Sequence, residues 1–314
     1  MNESLVWITG ARGFIGRHLS RYLAATGHRV SGLGHGLWAH GDARAWGVEN
    51  WINGDIHSSN LQALARQHGS PQVIFHLAGG SSVGVALAQP REDFFRTVVS
   101  TVELLEWIRL ESPSTRIIVV SSAAVYGTGK EGALAEDAGA APCSPYGFHK
   151  SMMEQLCHSY TMSYELNTTI VRLFSVYGAH LKKQLLWDLC TRLATSEDAV
   201  ALGGTGEELR DWTDVRDVVR ALGFVMDTLA TSGTVVNAAT GIPTSVRTIS
   251  ELVVNAWNAP RTVSFNGKSR AGDPRSLVAD CRRLQMLGFK WQIPVARGVG
   301  EYVDWFLRQN GRPS

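Results

Sequence analysis

Leu5-Val-Trp-Ile-Thr-Gly-Ala-Arg-Gly-Phe-Ile-Gly16 decides the fold. A short apolar run, enough for one buried strand, reaches a loop carrying Gly10, Gly13 and Gly16, and Phe14 to Ala25 then places apolar residues at helical spacing. Strand, glycine turn and helix in that order open a βαβ unit. Outward from it the alternation continues. His28-Arg-Val30 begins a second strand, Val73 to Leu77 and Arg116 to Ser121 read as buried strands, and helices are predicted over Ser59 to His68 and Asp93 to Leu110. Tyr146 to Leu166 is a further predicted helix and Thr168 to Phe174 the strand after it. Such alternation predicts an α/β fold, a doubly wound parallel sheet covered by helices on both faces.

Beyond Val176 the pattern is less regular as far as Asp211. Helices are then predicted at Asp217 to Leu229, Ser245 to Ala256 and near Val299 to Leu307, with a short strand at Thr234 to Ala238. With no internal repeat or long linker, the second lobe must be interleaved with the first rather than tethered to it. The expected organisation is a dinucleotide-binding domain over residues 1–174 and a smaller, mainly substrate-binding lobe over 175–314, the segment near 211–240 packing back on the first.

A chain of 314 residues with net charge +2 and 18% charged residues has ample length for a core and no basic stripe for nucleic acid. Cys143, Cys157, Cys190 and Cys281 form no C-x-x-C pair, so core thiols are expected rather than a disulfide framework, and no metal site is expected. The first residues lack a signal-peptide pattern, and no apolar run approaches the roughly 18 residues of a membrane span; a cytoplasmic protein acting on small molecules is expected.

The glycine loop suits a dinucleotide, because glycines let the backbone approach a pyrophosphate and the helix N-terminus offers unpaired N–H groups. Its spacing is G-x-x-G-x-x-G. Dinucleotide sites for NAD usually place an acidic residue about 20 residues on, to hold the adenosine ribose. Here that place reads Ser31-Gly-Leu-Gly34-His35-Gly36, and Arg12 in the loop can bind a 2′-phosphate. NADP(H) is therefore expected over NAD(H).

A proton-transfer site is predicted further on. Residues i and i+4 share a helix face, so Tyr146 and Lys150 can serve one ligand. A nearby ammonium and an oxidised nicotinamide both favour the ionised phenol, which could then exchange a proton with a sugar hydroxyl or ketone. Ser122 ends a predicted strand at the carboxyl edge of the sheet, where open α/β folds bind ligands.

With these pieces in order the chain resembles the extended short-chain dehydrogenase/reductase family, Rossmann-fold enzymes that modify nucleotide sugars. The matching stretches are Thr9 to Gly16, Gly54-Asp-Ile56, Phe75-His-Leu-Ala-Gly79, Ser121 to Gly127, Ser144 to Lys150, Val171 to Gly178, Arg210 to Asp217 and Arg270-Ala-Gly-Asp273. The resemblance implies that Gly10, Arg12, Gly13, Phe14, Ile15, Gly16, His35, Leu77, Ala78 and Gly79 line the cofactor, that Asp55 and Ile56 hold its adenine, and that Lys150 binds the nicotinamide ribose. It implies that Ser122 and Tyr146 act on the sugar, that Ser81 and Ser175 lie in the substrate site, and that Arg210 and Arg270 grip a diphosphate. A homodimer built on the two long helices of the first domain is also implied.

Three departures bear on the reaction. Ala123 and Ala124 stand where the family's dehydratases carry an Asp-Glu pair, which argues against dehydration. Ser175 and Thr97 each replace a typical asparagine. With NADP(H) preferred, the leading expectation is reduction of a nucleotide-linked 4-keto-6-deoxy sugar; the alternative is a nucleotide-sugar 4-epimerase with tightly held NAD. A non-catalytic NADP-binding sensor is the third reading, disfavoured because Tyr146 and Lys150 are both intact.

Overall fold

A computed structural model of the chain describes residues 3–129, 132–195, 199–257, 261–268 and 274–311. Two compact units emerge, one from Met1–Gly127, Glu136–Leu173 and Val219–Asn237, the other from Thr128–Ala135, Phe174–Val218 and Ala238–Ser314.

The first unit begins with β1 (Leu5–Thr9), α1 (Phe14–Ala25), β2 (Arg29–Gly34), α2 (His40–Ala45), β3 (Asn50–Asn53), α3 (Ser58–His68) and β4 (Val73–His76). It continues through α4 (Val83–Ala88), α5 (Pro90–Phe94), a π-helical turn (Phe95–Val99), α6 (Ser100–Glu111) and β5 (Arg116–Ser122). A 3-10 turn (Ala123–Tyr126), α7 (Pro145–Tyr164) and β6 (Thr168–Leu173) follow. The second unit opens with β7 (Ser175–Tyr177), α8 (Gln184–Thr195), β8 (Val200–Leu202) and β9 (Leu209–Asp214). Next, α9 (Val215–Thr228) starts in the second unit and runs into the first, where β10 (Thr234–Ala238) joins the large sheet. The remainder is β11 (Pro243–Ser245), α10 (Val246–Trp257), β12 (Val263–Phe265), β13 (Ser276–Leu277), α11 (Arg282–Met286) and α12 (Val295–Gln309).

Seven strands form the main sheet in the order β10-β6-β5-β4-β1-β2-β3. The pairs β1–β2, β1–β4, β2–β3, β4–β5 and β5–β6 are parallel, as the near-continuous apolar runs require of strands covered on both faces. Chain order reverses between β1 and β4, and ligands bind at such a switch point, outside the carboxyl ends of the strands. The Gly10 loop, the Leu77–Gly79 segment and Ser122 all leave the sheet at those ends. One face packs Leu61 and Leu64 of α3, Leu104, Leu105 and Ile108 of α6 and Met153 and Cys157 of α7 on Ile74, Ile117 and Val119. Trp7 stacks on Trp107 there, ring centroids 5.1 Å apart.

In the second unit β9 is the hub, parallel to β7 and β13 and antiparallel to β11, while β8 pairs with β12. The segment expected to be irregular between Val176 and Asp211 thus holds a three-turn helix, α8, whose buried Leu186, Leu189, Cys190 and Leu193 recur at helical spacing. Cys157, Cys190 and Cys281 are buried, but Cys143 is exposed, because it precedes the N-cap Ser144 of α7 in a surface loop. Among the described residues no helix is long and apolar enough to cross a membrane.

Candidate active site

Helix α1 presents its N-terminus to the switch point. Its N-cap is Gly13, no side chain caps it and its first turn has no acidic residue, so the first amides keep their donors and their partial positive charge for an anion. A Cβ on Gly16 would stand 2.2 Å from the Gly10 carbonyl oxygen, so only glycine lets the helix come this close to the loop. An uncapped helix N-terminus packed closely behind a glycine turn is what a pyrophosphate needs, and the site fits a dinucleotide. Behind the loop, buried His76 is driven down to about 3 by desolvation and then by the Lys150 charge, so its ring is neutral. It bonds Thr9 Oγ1 at 2.8 Å and Thr101 Oγ1 at 3.0 Å, and the Thr9 hydroxyl accepts the Ala78 N–H at 3.2 Å. These bonds fix the path of Leu77, Ala78 and Gly79 beside Gly10.

At the end of β2 the premise for NADP(H) changes. No carboxylate follows β2 in the sequence, yet the loop after β3 brings Asp55 Oδ1 to 3.0 Å from His35 Nε2, so a negative charge stands beside the end of β2 after all. Asp55 is exposed and the adjoining Ile56 buried. Arg12 lies against the same loop: a Cβ on Gly36 would come within 2.4 Å of its Nη1.

Ser122, Tyr146 and Lys150 converge. Ser122 ends β5, its hydroxyl accepts the Ala124 N–H at 3.2 Å, and it hydrogen-bonds the Tyr146 side chain. Ala123 is buried in the 3-10 turn, so an acidic pair there would have to be accommodated in packed surroundings. Ser144 caps α7 by accepting the Gly147 N–H at 3.2 Å, and Pro145 occupies its first turn, which places Tyr146 at the helix entrance and Lys150 one turn deeper. Buried Lys150 donates to the Val120 carbonyl at 3.0 Å. Desolvation lowers the lysine to about 8, opposed by Asp93 first and then by Glu154 and Cys157. In the phenol, burial raises the pKa, the Ser122 bond pulls back, and Asp93 adds to the rise.

The remaining candidates lie apart from this cluster in the chain. Ser81 is exposed just before the N-cap of α4. Thr97, in the π-helical turn, accepts the Gly80 N–H at 2.8 Å. Ser175 and Arg210 belong to the second unit, half-buried on β7 and β9; Arg210 Nη1 donates to its neighbour Leu209's carbonyl at 2.8 Å. Arg270 lies outside the described residues. Sequence reasoning passed over Asp93 and His149, which pair across 56 positions; the one available signal was an ionisable residue inside Tyr146-Gly-Phe-His-Lys150.

A doubly wound sheet with an open glycine-loop helix at its switch point, and a serine, tyrosine and lysine gathered at its carboxyl edge, defines a nicotinamide-dinucleotide enzyme of the extended short-chain dehydrogenase/reductase class. Residues 6–239 match the NAD dependent epimerase/dehydratase family, and the chain belongs to it. It is 31% identical to a UDP-glucose 4-epimerase of Mycolicibacterium smegmatis, over 96% of this chain and 98% of that one. Among solved structures, the UDP-glucuronic acid 4-epimerase of Bacillus cereus in complex with UDP-glucuronic acid and NAD superposes with a TM-score of 0.87 at 25% identity, covering 97% of this chain and 99% of that one. MoeE5 in complex with UDP-glucose and NAD does so at 0.86 and 30% identity, with 97% and 99% covered.

Proposed function

We propose that the protein is a nucleotide-sugar 4-epimerase working on a UDP-hexose with retained NAD. The observation that carries this reading is the hydrogen-bonded Ser122–Tyr146 pair with buried Lys150 one helical turn on. The family membership and the 4-epimerase relatives favour it over the reductase expected from the sequence, and the Asp55 carboxylate beside His35 removes the main argument for NADP(H). Arg12 against Gly36 is the one feature that still favours a 2′-phosphate, and with it the reductase.

In this reading the amides at the start of α1 hold the pyrophosphate, Asp55 and Ile56 the adenosine, and Lys150 the nicotinamide ribose. NAD, when bound, supplies a centre that takes up and returns hydride. Tyr146 takes the proton of the carbon-4 hydroxyl and later returns it to the oxygen on the other face, Ser122 holds that oxygen, and the Lys150 ammonium lowers the cost of the phenolate. The protein works as a homodimer through α5 to α7, on whose surface Phe95, Phe148 and Met152 are 47%, 49% and 41% exposed, an apolar patch that a second copy would cover; sedimentation distinguishes dimer from monomer.

The test of the reading is proton NMR of UDP-glucose, UDP-N-acetylglucosamine and UDP-glucuronate incubated with the purified protein and no added cofactor. Appearance of a 4-epimer supports it. Consumption of NADPH with 4-keto-6-deoxy sugars, and no interconversion, would replace it with the reductase.

A further inference from the structure

Asp93 is 3% exposed, and its two oxygens differ. Oδ2 is 2.5 Å from His149 Nδ1, a contact between α5 and α7 that the Phe94 ring flanks, its centroid 5.5 Å from that of the imidazole. Oδ1 is buried with no hydrogen-bond partner. It presses on the backbone of Gly80, where a Cβ would lie 1.7 Å from it. The preceding residue, Gly79, meets the opposite charge: a Cβ there would be 3.5 Å from Lys150 Nζ and 3.2 Å from Thr97 Oγ1. Two consecutive glycines of the cofactor-lining segment are thus bracketed by a buried carboxylate and a buried ammonium.

A buried charge without full hydrogen bonding is costly unless another charge compensates it. The groups whose charge acts on Lys150 are Asp93 from α5 and Glu154 and Cys157 from its own helix, while Lys150 in turn acts on neutral His76 of β4. Glu154 is engaged elsewhere: Oε1 accepts from Ser121 at 2.5 Å and from Arg172 Nε at 3.0 Å, and Oε2 from Arg172 Nη2 at 2.7 Å. Cys157 is a buried thiol pushed up to about 12, and so uncharged. That leaves Asp93. We propose that Asp93, held in place by His149, is the counter-charge of Lys150 and a positioning residue for the reaction, fixing the Gly79–Gly80 turn from one side as Lys150 does from the other. The functional half of this statement rests on the epimerase reading; the electrostatic half does not.

The chain has six lysines, so the full-length protein carrying [ε-13C]lysine gives a spectrum in which Lys150 is identified by its loss in Lys150→Arg. Titration of that signal in Asp93→Asn should show the midpoint lowered by about 1 pH unit or more, the lower end of what an opposite charge within about 4–6 Å provides. His149→Asn keeps the carboxylate and offers an amide donor near the place of Nδ1, so it should leave the midpoint within about half a unit. Coincident titration of wild type and Asp93→Asn would overturn the proposal, as would an equal shift in His149→Asn. Should Asp93→Asn not fold, wild type still decides: a Lys150 midpoint below about pH 7 shows that no effective counter-charge is present, and one near or above about 8 supports it. In an assay with an active UDP-sugar, Asp93→Asn should also move the alkaline limb of kcat to lower pH with KM little changed, which a merely structural role would not do. Inactivity of wild type on every sugar counts against the epimerase reading and leaves the titration result standing.

Discussion

Arg172→Met is the perturbation whose cost follows most directly from the geometry. Arg172 on β6 and Glu154 on α7 are 6% and 9% exposed and form a two-point ion pair at 2.7 and 3.0 Å. The same guanidinium donates to Tyr126 Oη and to the Glu136 carbonyl, both at 2.9 Å. Methionine fills comparable volume but leaves Glu154 as a buried charge whose remaining donor is Ser121, at a cost of about 3–5 kcal/mol. Tyr126 still donates to Asn237 at 2.7 Å and loses little. Glu154 lies one turn beyond Lys150, and Ser121 immediately precedes Ser122, so the loosened pair should also lower kcat. Urea denaturation of Arg172→Met, Glu154→Leu and the double variant closes a cycle in which the double variant recovers most of the loss, because removing both charges leaves neither uncompensated. A cost below about 1 kcal/mol for Arg172→Met, or a double variant less stable than either single one, would refute the reasoning.

Tyr146→Phe should lower kcat by about 10²–10⁴-fold with the fold intact, measured as sugar interconversion beside a circular-dichroism melt; a smaller loss means that another group moves the proton. Lys150→Met should abolish activity, and its stability relative to wild type should fall as pH rises. Burial lowers the lysine from 10.5 to about 8, so wild type bears the cost of a buried ammonium below pH 8 and sheds it between 8 and 10.5, at about 1.4 kcal/mol per pH unit, whereas the variant leaves Asp93 without its counter-charge and makes no such recovery. Urea midpoints at pH 7 and pH 10 check the slope and its sign. Gly16→Ala drives a methyl group into backbone on α1's approach to the Gly10 loop, and the purified variant should release little or no dinucleotide on heating where wild type releases about one per chain.

Much of the first unit was legible because its signals are local. The run from Leu5 to Gly16 contains its own strand, turn and helix, and α1 spans Phe14–Ala25 as its apolar spacing predicts. Tyr146 and Lys150 sit one helical turn apart by construction. What stayed hidden depends on contacts distant in sequence. Asp55 reaches His35 only because β3 lies beside β2, and Asp93 meets His149 only because α5 packs on α7, so neither pairing has a period or a motif. The rise in the Tyr146 pKa has no sequence signal because burial, its largest cause, is a property of the assembled core. In the second unit α8 carries helical spacing in Leu186, Leu189, Cys190 and Leu193, but it starts at Gln184 with positive φ rather than at a recognisable cap, and the neighbouring strands β7 and β8 are three residues each.

The central claim is that Tyr146 moves a proton on and off the carbon-4 oxygen while the carbon-bound hydrogen leaves and returns without reaching water. The most direct measurement follows UDP-hexose in D2O by proton NMR, with purified protein and no added dinucleotide. Interconversion of the carbon-4 epimers with the original hydrogen retained at carbon 4 is the predicted result. Deuterium at carbon 4, or net oxidation or reduction of the sugar in place of interconversion, would contradict it.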